Sequence, residues 1–151
     1  MSDLSVLTEW SFQMKYFRNV FALLSIFFLA TGFAMAKEES PQTVDGATTI
    51  DAAKAKELFD DGALFVDVRK DKDWAAGRIP DAEHLDVKSK YTEESLGQHA
   101  KKDDRVVLYC NGASCMRSSK ASKMAVDWGY KNVYYFRLGF PAWKSAGYPA
   151  E

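Results

Sequence analysis

Arg105-Val106-Val107-Leu108-Tyr109-Cys110-Asn111-Gly112-Ala113-Ser114-Cys115-Met116-Arg117-Ser118 is the stretch from which the rest of the chain is read. Its first five residues follow the charged turn Lys101 to Asp104 and are β-branched and apolar, the pattern of a buried strand. Ser118 or Ser119 then opens a predicted helix in which Ala121, Met124, Ala125 and Trp128 fall on one face, with Gly129 as its stop. Val133-Tyr134-Tyr135-Phe136 is the next strand, and Phe140 to Ala146 a short closing helix before Gly147 and Pro149.

The same alternation runs upstream. Asp51 is placed to cap a helix from Ala52 to Phe59, with Gly62 near its end. Ala63-Leu64-Phe65-Val66-Asp67-Val68 is an apolar run of strand length with one late carboxylate. Asp71 to Ala76 suits a short helix halted by Gly77 and Pro80, His84 to Val87 a short strand, and Tyr91 to Ala100 a weaker helix. Strands alternating with helices predict an α/β fold whose mainly parallel sheet is covered on both faces. No internal repeat interrupts the pattern.

The 151 residues suffice for one domain after allowance for a targeting segment. Apolar residues make up 47% and charged residues 27%, a globular balance. A formal net charge of -1 argues against a nucleic-acid binder, which needs a basic face against phosphates. The N-terminal third differs from the rest. Basic Lys15 and Arg18 precede an apolar run from Val20 to Ala30, then Ala34-Met35-Ala36 and the polar Lys37-Glu38-Glu39, the order of a secretory signal peptide. Residues 1–36 are therefore expected to be a signal peptide, with Met14 as an alternative true start, and an uncleaved membrane anchor as the competing reading. Residues 37–47 are expected to be a flexible lead-in and 48–151 the folded domain. The expected location is periplasmic or secreted, with membrane contact only through the signal segment if it is retained.

In a parallel α/β fold, ligands sit beyond the carboxyl ends of the strands. Cys110 ends the clearest strand, and the loop from Asn111 to Arg117 leads into the next helix. Gly112 admits a tight wrap, and successive backbone N–H groups with a helix N-terminus behind them form a concavity that attracts anions. That setting favours thiolate over thiol at Cys110 and offers a seat for an anionic substrate. Arg117 adds a permanent charge with planar donors suited to an oxyanion group. His84 and His99 are the only histidines and neither is near in sequence, so the nucleophile relies on backbone electrostatics. The competing reading makes Cys110 a small core residue. Cys110 and Cys115 are the only cysteines; without nearby histidines they do not make a zinc site, and in an exported protein they can bond to each other. Asp67 and Arg69 are read as organising a strand end, and Trp74, Trp128 and Trp143 as packing aromatics.

Leu64-Phe65-Val66-Asp67-Val68-Arg69 with Trp74-Ala75-Ala76-Gly77-Arg78-Ile79-Pro80-Asp81-Ala82, then Val106 to Cys110, then Arg117-Ser118, then Leu138 to Pro149, occur in the order of the motifs of the rhodanese homology domain, which the chain resembles from about Thr48 to Pro149. The resemblance implies a rhodanese-like three-layer domain with a mainly parallel five-stranded sheet flanked by helices. It also implies a sulfurtransferase in which Cys110 takes the outer sulfur of thiosulfate or a related donor, holds it as a persulfide, and passes it to cyanide or a thiol. Asn111, Gly112, Ala113, Ser114, Cys115, Met116, Arg117 and Ser118 would line the substrate loop, and no cofactor or metal is called for. Three departures stand out. Arg78 replaces the usual histidine, six residues rather than the commoner four separate Cys110 from Arg117, and Cys115 can resolve the persulfide, bond to Cys110 or act as the nucleophile itself. Other readings are a thiol/disulfide or sulfur-carrier protein using both cysteines, and the phosphatase or arsenate-reductase branch of the same fold, whose usual spacing from cysteine to arginine is one residue shorter.

Overall fold

Asp51 starts the first helix as expected: its side chain accepts the Lys54 N–H at 2.8 Å, satisfying one of the donors that a helix N-terminus leaves free. The computed structural model describes residues 38–151, so the expected signal segment at residues 1–36 lies outside the described residues. The elements run β1 (Thr48–Thr49), α1 (Ala52–Asp60), β2 (Leu64–Asp67), α2 (Asp71–Ala75), β3 (Glu83–His84), α3 (Glu93–Gly97), β4 (Arg105–Tyr109), α4 (Arg117–Asp127), β5 (Asn132–Phe136) and α5 (Gly139–Ser145). Five strands form one sheet in the order β1-β5-β4-β2-β3, and every neighbouring pair is parallel. The chain is thus α/β, with β4 at the centre and the two-residue strands β1 and β3 at the edges.

Side chains that alternate along the strands divide the interior in two. Val66, Val106, Leu108 and Cys110 pack with Leu96 of α3 and with Ala121 and Ala125 of α4. Phe65, Val107, Tyr109 and Phe136 pack on the other face with Ala55 and Leu58 of α1 and Phe140 and Trp143 of α5. Phe59 of α1 meets Trp143 of α5 edge-on at 5.4 Å between ring centroids, tying those two helices together. Val106, Val107 and Leu108 are fully buried, each side chain contributing about 1.5–3 kcal/mol. This double cover is what makes the centre of β4 a continuous apolar run rather than an alternating one.

Several expectations need correction. The helix placed at Ser118 or Ser119 begins at Arg117, and neither serine caps it: Met116 is the N-cap with no side-chain bond, and the Ser119 hydroxyl donates to the Met116 carbonyl at 3.0 Å. The strand expected over His84 to Val87 is confined to Glu83–His84, because Asp86 turns the chain, its carbonyl accepting the N–H groups of Ser89, Lys90 and Tyr91. The helix expected from Tyr91 to Ala100 is only Glu93–Gly97, set by a capping box between Thr92 and Ser95. The lead-in expected to be flexible is pinned over residues 39–44. Tyr135 donates to the Ser40 hydroxyl at 2.9 Å, Arg137 donates to the Ser40 carbonyl and pairs with Glu39 at 2.8 Å, and Ser40 and Val44 are buried.

Candidate active site

Cys110 follows the last residue of β4 at the carboxyl edge of the sheet. Its carbonyl accepts the Phe140 N–H at 3.0 Å, so the start of α5 rests directly on it. Gly139 makes that approach: it has φ +55, and a Cβ there would lie 2.8 Å from the Cys110 carbonyl carbon. Only a residue without a side chain fits that position. Gly139 thus seats the start of α5 directly against the Cys110 backbone, a contact that the sequence motif from Leu138 to Pro149 does not reveal by itself.

The loop from Asn111 to Met116 curls through Gly112, at φ +104, into a turn closed by the Cys115 N–H donating to the Gly112 carbonyl at 2.9 Å. The Ser40 N–H donates to the Ala113 carbonyl at 2.7 Å and fixes the crest of the loop. Among the described residues, the N–H groups of Asn111, Gly112, Ala113, Ser114 and Met116 donate to no protein acceptor. Those donors, with the N-terminus of the eleven-residue helix α4 behind them, are the electropositive part of the site.

Cys110 and Cys115 are joined in a disulfide, with Cα atoms 6.4 Å apart. Cys110 is fully buried in this bonded form and belongs to the apolar cluster under α4, whereas Cys115 is half-buried. A bonded sulfur does not titrate, so the thiolate expected from sequence exists only after reduction. Of the three outcomes open for Cys115, the structure takes the bond to Cys110.

One ion pair, with the hydrogen bonds that extend from it, holds the loop from below. Asp67, fully buried at the end of β2, accepts from the Arg69 N–H at 2.9 Å, from Nε at 2.9 Å and from Nη2 at 2.5 Å. Arg69 also donates to the Gly77 carbonyl at 2.7 Å and to the Asn111 side-chain oxygen at 3.3 Å, while the Asn111 amide donates to Asp73 at 2.8 Å. Burial works against the charge of Arg69, but the hydrogen bond and field of Asp67 outweigh it and hold the guanidinium above its ordinary pKa. Burial, reinforced by Asp67, likewise pushes the Tyr109 hydroxyl up, leaving it neutral to receive the Ile79 N–H at 3.2 Å. Asp67 and Arg69 therefore orient the first residue beyond Cys110.

Arg117 lies at the far end of the loop, where its Nη1 binds the carboxylate of Asp86 at 2.5 Å. Asp86 is nearly buried and also accepts the Lys88 N–H at 2.9 Å. The charge expected to serve an oxyanion is thus largely answered by a protein carboxylate, and sequence reasoning missed Asp86 because no spacing rule links residues 31 apart. Ser118 faces the interior with its Oγ buried and without a partner among the described residues, as does Ser122 one turn on. Asn111 and Ser114 are exposed, and Met116 and Leu138 are the large apolar side chains left exposed among the described residues. His84 stacks on Trp74 at 4.8 Å and donates to or accepts from no group of the loop.

The architecture and the site can be set beside known proteins. A family model described as the rhodanese-like domain matches residues 51–146. The protein HIGH ARSENIC CONTENT 1, mitochondrial, of Arabidopsis thaliana is 30% identical over 129 residues, which cover 80% of this chain and 75% of that protein. Thiosulfate sulfurtransferase GlpE of Pseudomonas entomophila is 32% identical over 102 residues, 68% of this chain and 88% of that one. The rhodanese-like domain of the Alr3790 protein from Anabaena superposes with a TM-score of 0.59 at 23% identity, over 68% of this chain and 77% of that domain. The family model spans nearly all of the described domain, and the chain belongs to the rhodanese-like domain family.

Proposed function

We propose that this protein is an exported sulfurtransferase that moves a sulfane sulfur from thiosulfate or a related anionic donor to cyanide or a thiol through a persulfide on Cys110. The observation that carries this reading is the pairing of Cys110 at the carboxyl end of the central strand with a run of loop N–H groups that have no protein acceptor. The likeness to proteins named thiosulfate sulfurtransferase supports the donor class.

In the reduced protein the Cys110 thiolate attacks the outer sulfur of thiosulfate. Sulfite leaves with the electron pair of the broken S–S bond, and Cys110 keeps the sulfur as a persulfide. The free amides of the loop stabilise first the thiolate, then the anionic donor and the charge on the outer sulfur. A nucleophilic acceptor attacks that outer sulfur, and the Cys110 thiolate departs unchanged. Asp67 and Arg69 take no part in bond making; through Asn111 they hold the loop in place. The signal-like segment ahead of residue 37 supports export, and a disulfide between Cys110 and Cys115 fits an oxidising compartment.

The test is intact-mass analysis of the reduced Cys115→Ser protein after thiosulfate treatment, which isolates loading at Cys110. The expected result is a gain of one sulfur, removed by cyanide as thiocyanate, and no gain once Cys110→Ser is added. Equal sulfur uptake by C110S would overturn the assignment.

A further inference from the structure

The Cys110–Cys115 bond has no role in the two displacements above, and the fold has gone to some length to make it. The two residues are five apart, and their Cα separation of 6.4 Å lies within the span a disulfide bridges. The turn that closes on the Gly112 carbonyl and the hydrogen bond from Ser40 to Ala113 bring the Cys115 sulfur over Cys110 while β4 and α4 stay regular. Burial is unequal: Cys110 is sealed and Cys115 half-open.

We infer that Cys115 is a resolving residue that discharges the Cys110 persulfide inside the molecule, so that the protein releases hydrosulfide and requires an external dithiol to turn over. The inference rests on the persulfide reading given above. Once Cys110 carries a second sulfur, its own Sγ is the atom to which Cys115 is seen bonded, and the Cys115 thiolate is the nucleophile held nearest to it. Attack at that inner sulfur forms the Cys110–Cys115 disulfide and breaks the persulfide S–S bond. The electron pair leaves with the outer sulfur as hydrosulfide, and the Cys115 sulfur is oxidised from thiolate to disulfide. The attack is intramolecular and gains over a dissolved thiol acceptor by proximity.

The disulfide seen here is then the end of a half-cycle. A reductant thiolate reaches the half-open Cys115 sulfur more readily than the sealed Cys110 sulfur. Attack there expels Cys110 as a thiolate, and the unpaired amides of the loop that begins at the next residue favour that charged leaving group. The second thiol of a dithiol completes the reduction, leaving its disulfide behind. Over the cycle, one thiosulfate and one dithiol give one sulfite, one hydrogen sulfide and one disulfide. Such a cycle draws its electrons from a dithiol carrier rather than from the monothiols of the surroundings.

A single turnover separates the possibilities. The full chain is reduced, freed of reductant and given thiosulfate, after which sulfite, sulfide and protein mass are measured. The expected result for the parent protein is sulfite and sulfide in equal amount, with the chain ending as the disulfide. Cys115→Ser is expected to release sulfite, retain the persulfide and give a sulfide yield lower by roughly tenfold or more, the intramolecular advantage being lost. Discharge of its retained sulfur by cyanide as thiocyanate shows that the variant is folded. A parent protein that releases sulfite yet keeps its persulfide and yields no sulfide overturns the resolving role and leaves the sulfurtransferase reading standing. Absence of sulfite and of persulfide in both proteins overturns the sulfurtransferase reading, and the resolving role with it.

Discussion

The turn after β2 and the loop after β4 leave neighbouring parallel strands at the same level, Asp67 opposite Tyr109, and they treat their polar groups in opposite ways. In the first, the Asp67 carboxylate takes three donors of Arg69, and Arg69 goes on to Gly77 and Asn111. In the second, a run of backbone N–H groups is left without protein acceptors. A buried polar group without a partner costs about 1–3 kcal/mol, so the saturated turn can lie deep in the protein and serve as scaffold. Donors left open by the protein are free to take an anion, and that is where the proposed chemistry is placed. The difference between scaffold and site here is one of hydrogen-bond saturation, not of residue type.

The strongest way to break this contrast is to desaturate the scaffold. Asp67→Asn removes the charge opposite buried Arg69 and is expected to destabilise the fold by roughly 3–5 kcal/mol, measured by urea denaturation. A loss below about 1 kcal/mol would show that the pair is not what holds the turn. A second way is to push on the loop from underneath. Gly139→Ala places a methyl against the Cys110 carbonyl at a positive φ, with an expected cost of about 1–3 kcal/mol and slower sulfur loading. Parental stability and loading rate in G139A would mean that the loop does not rest on α5. The mildest change sharpens the contrast instead. Ser122 carries a buried hydroxyl with no partner on the scaffold side of α4, so Ser122→Ala is expected to leave stability unchanged or raise it by up to about 1 kcal/mol, without altering sulfur loading. A clear loss of stability in S122A would show that this hydroxyl is bonded after all.

The scaffold was largely legible before the structure because it is periodic. The β-branched run ending at Tyr109, the Asp51 cap and the alanine face of α4 each obey a local rule, and all three stand where those rules put them. The boundaries that moved were set by polar contacts with no period. Asp86 turns the chain and cuts β3 short, and Arg117 opens α4 while paired with that same Asp86. Of the candidate site, the sequence made legible only the cysteine at the strand end and the loop that follows it. Gly139 against Cys110, Asn111 between Arg69 and Asp73, and Ser40 on Ala113 are contacts between distant segments, invisible to any rule that reads a window of neighbours. The cysteine pair was visible as two sulfurs, but the choice between bond, resolving thiol and nucleophile depended on how the intervening turn folds.

The strands at both margins of the sheet are two residues long. An intruding chain that tried to extend the ladder from either side would find only a short run of free backbone to copy, too little to outweigh the entropy of aligning a longer segment. The domain is thereby guarded against fibrillar self-assembly by brevity alone, without needing lysines or prolines to blunt its flanks.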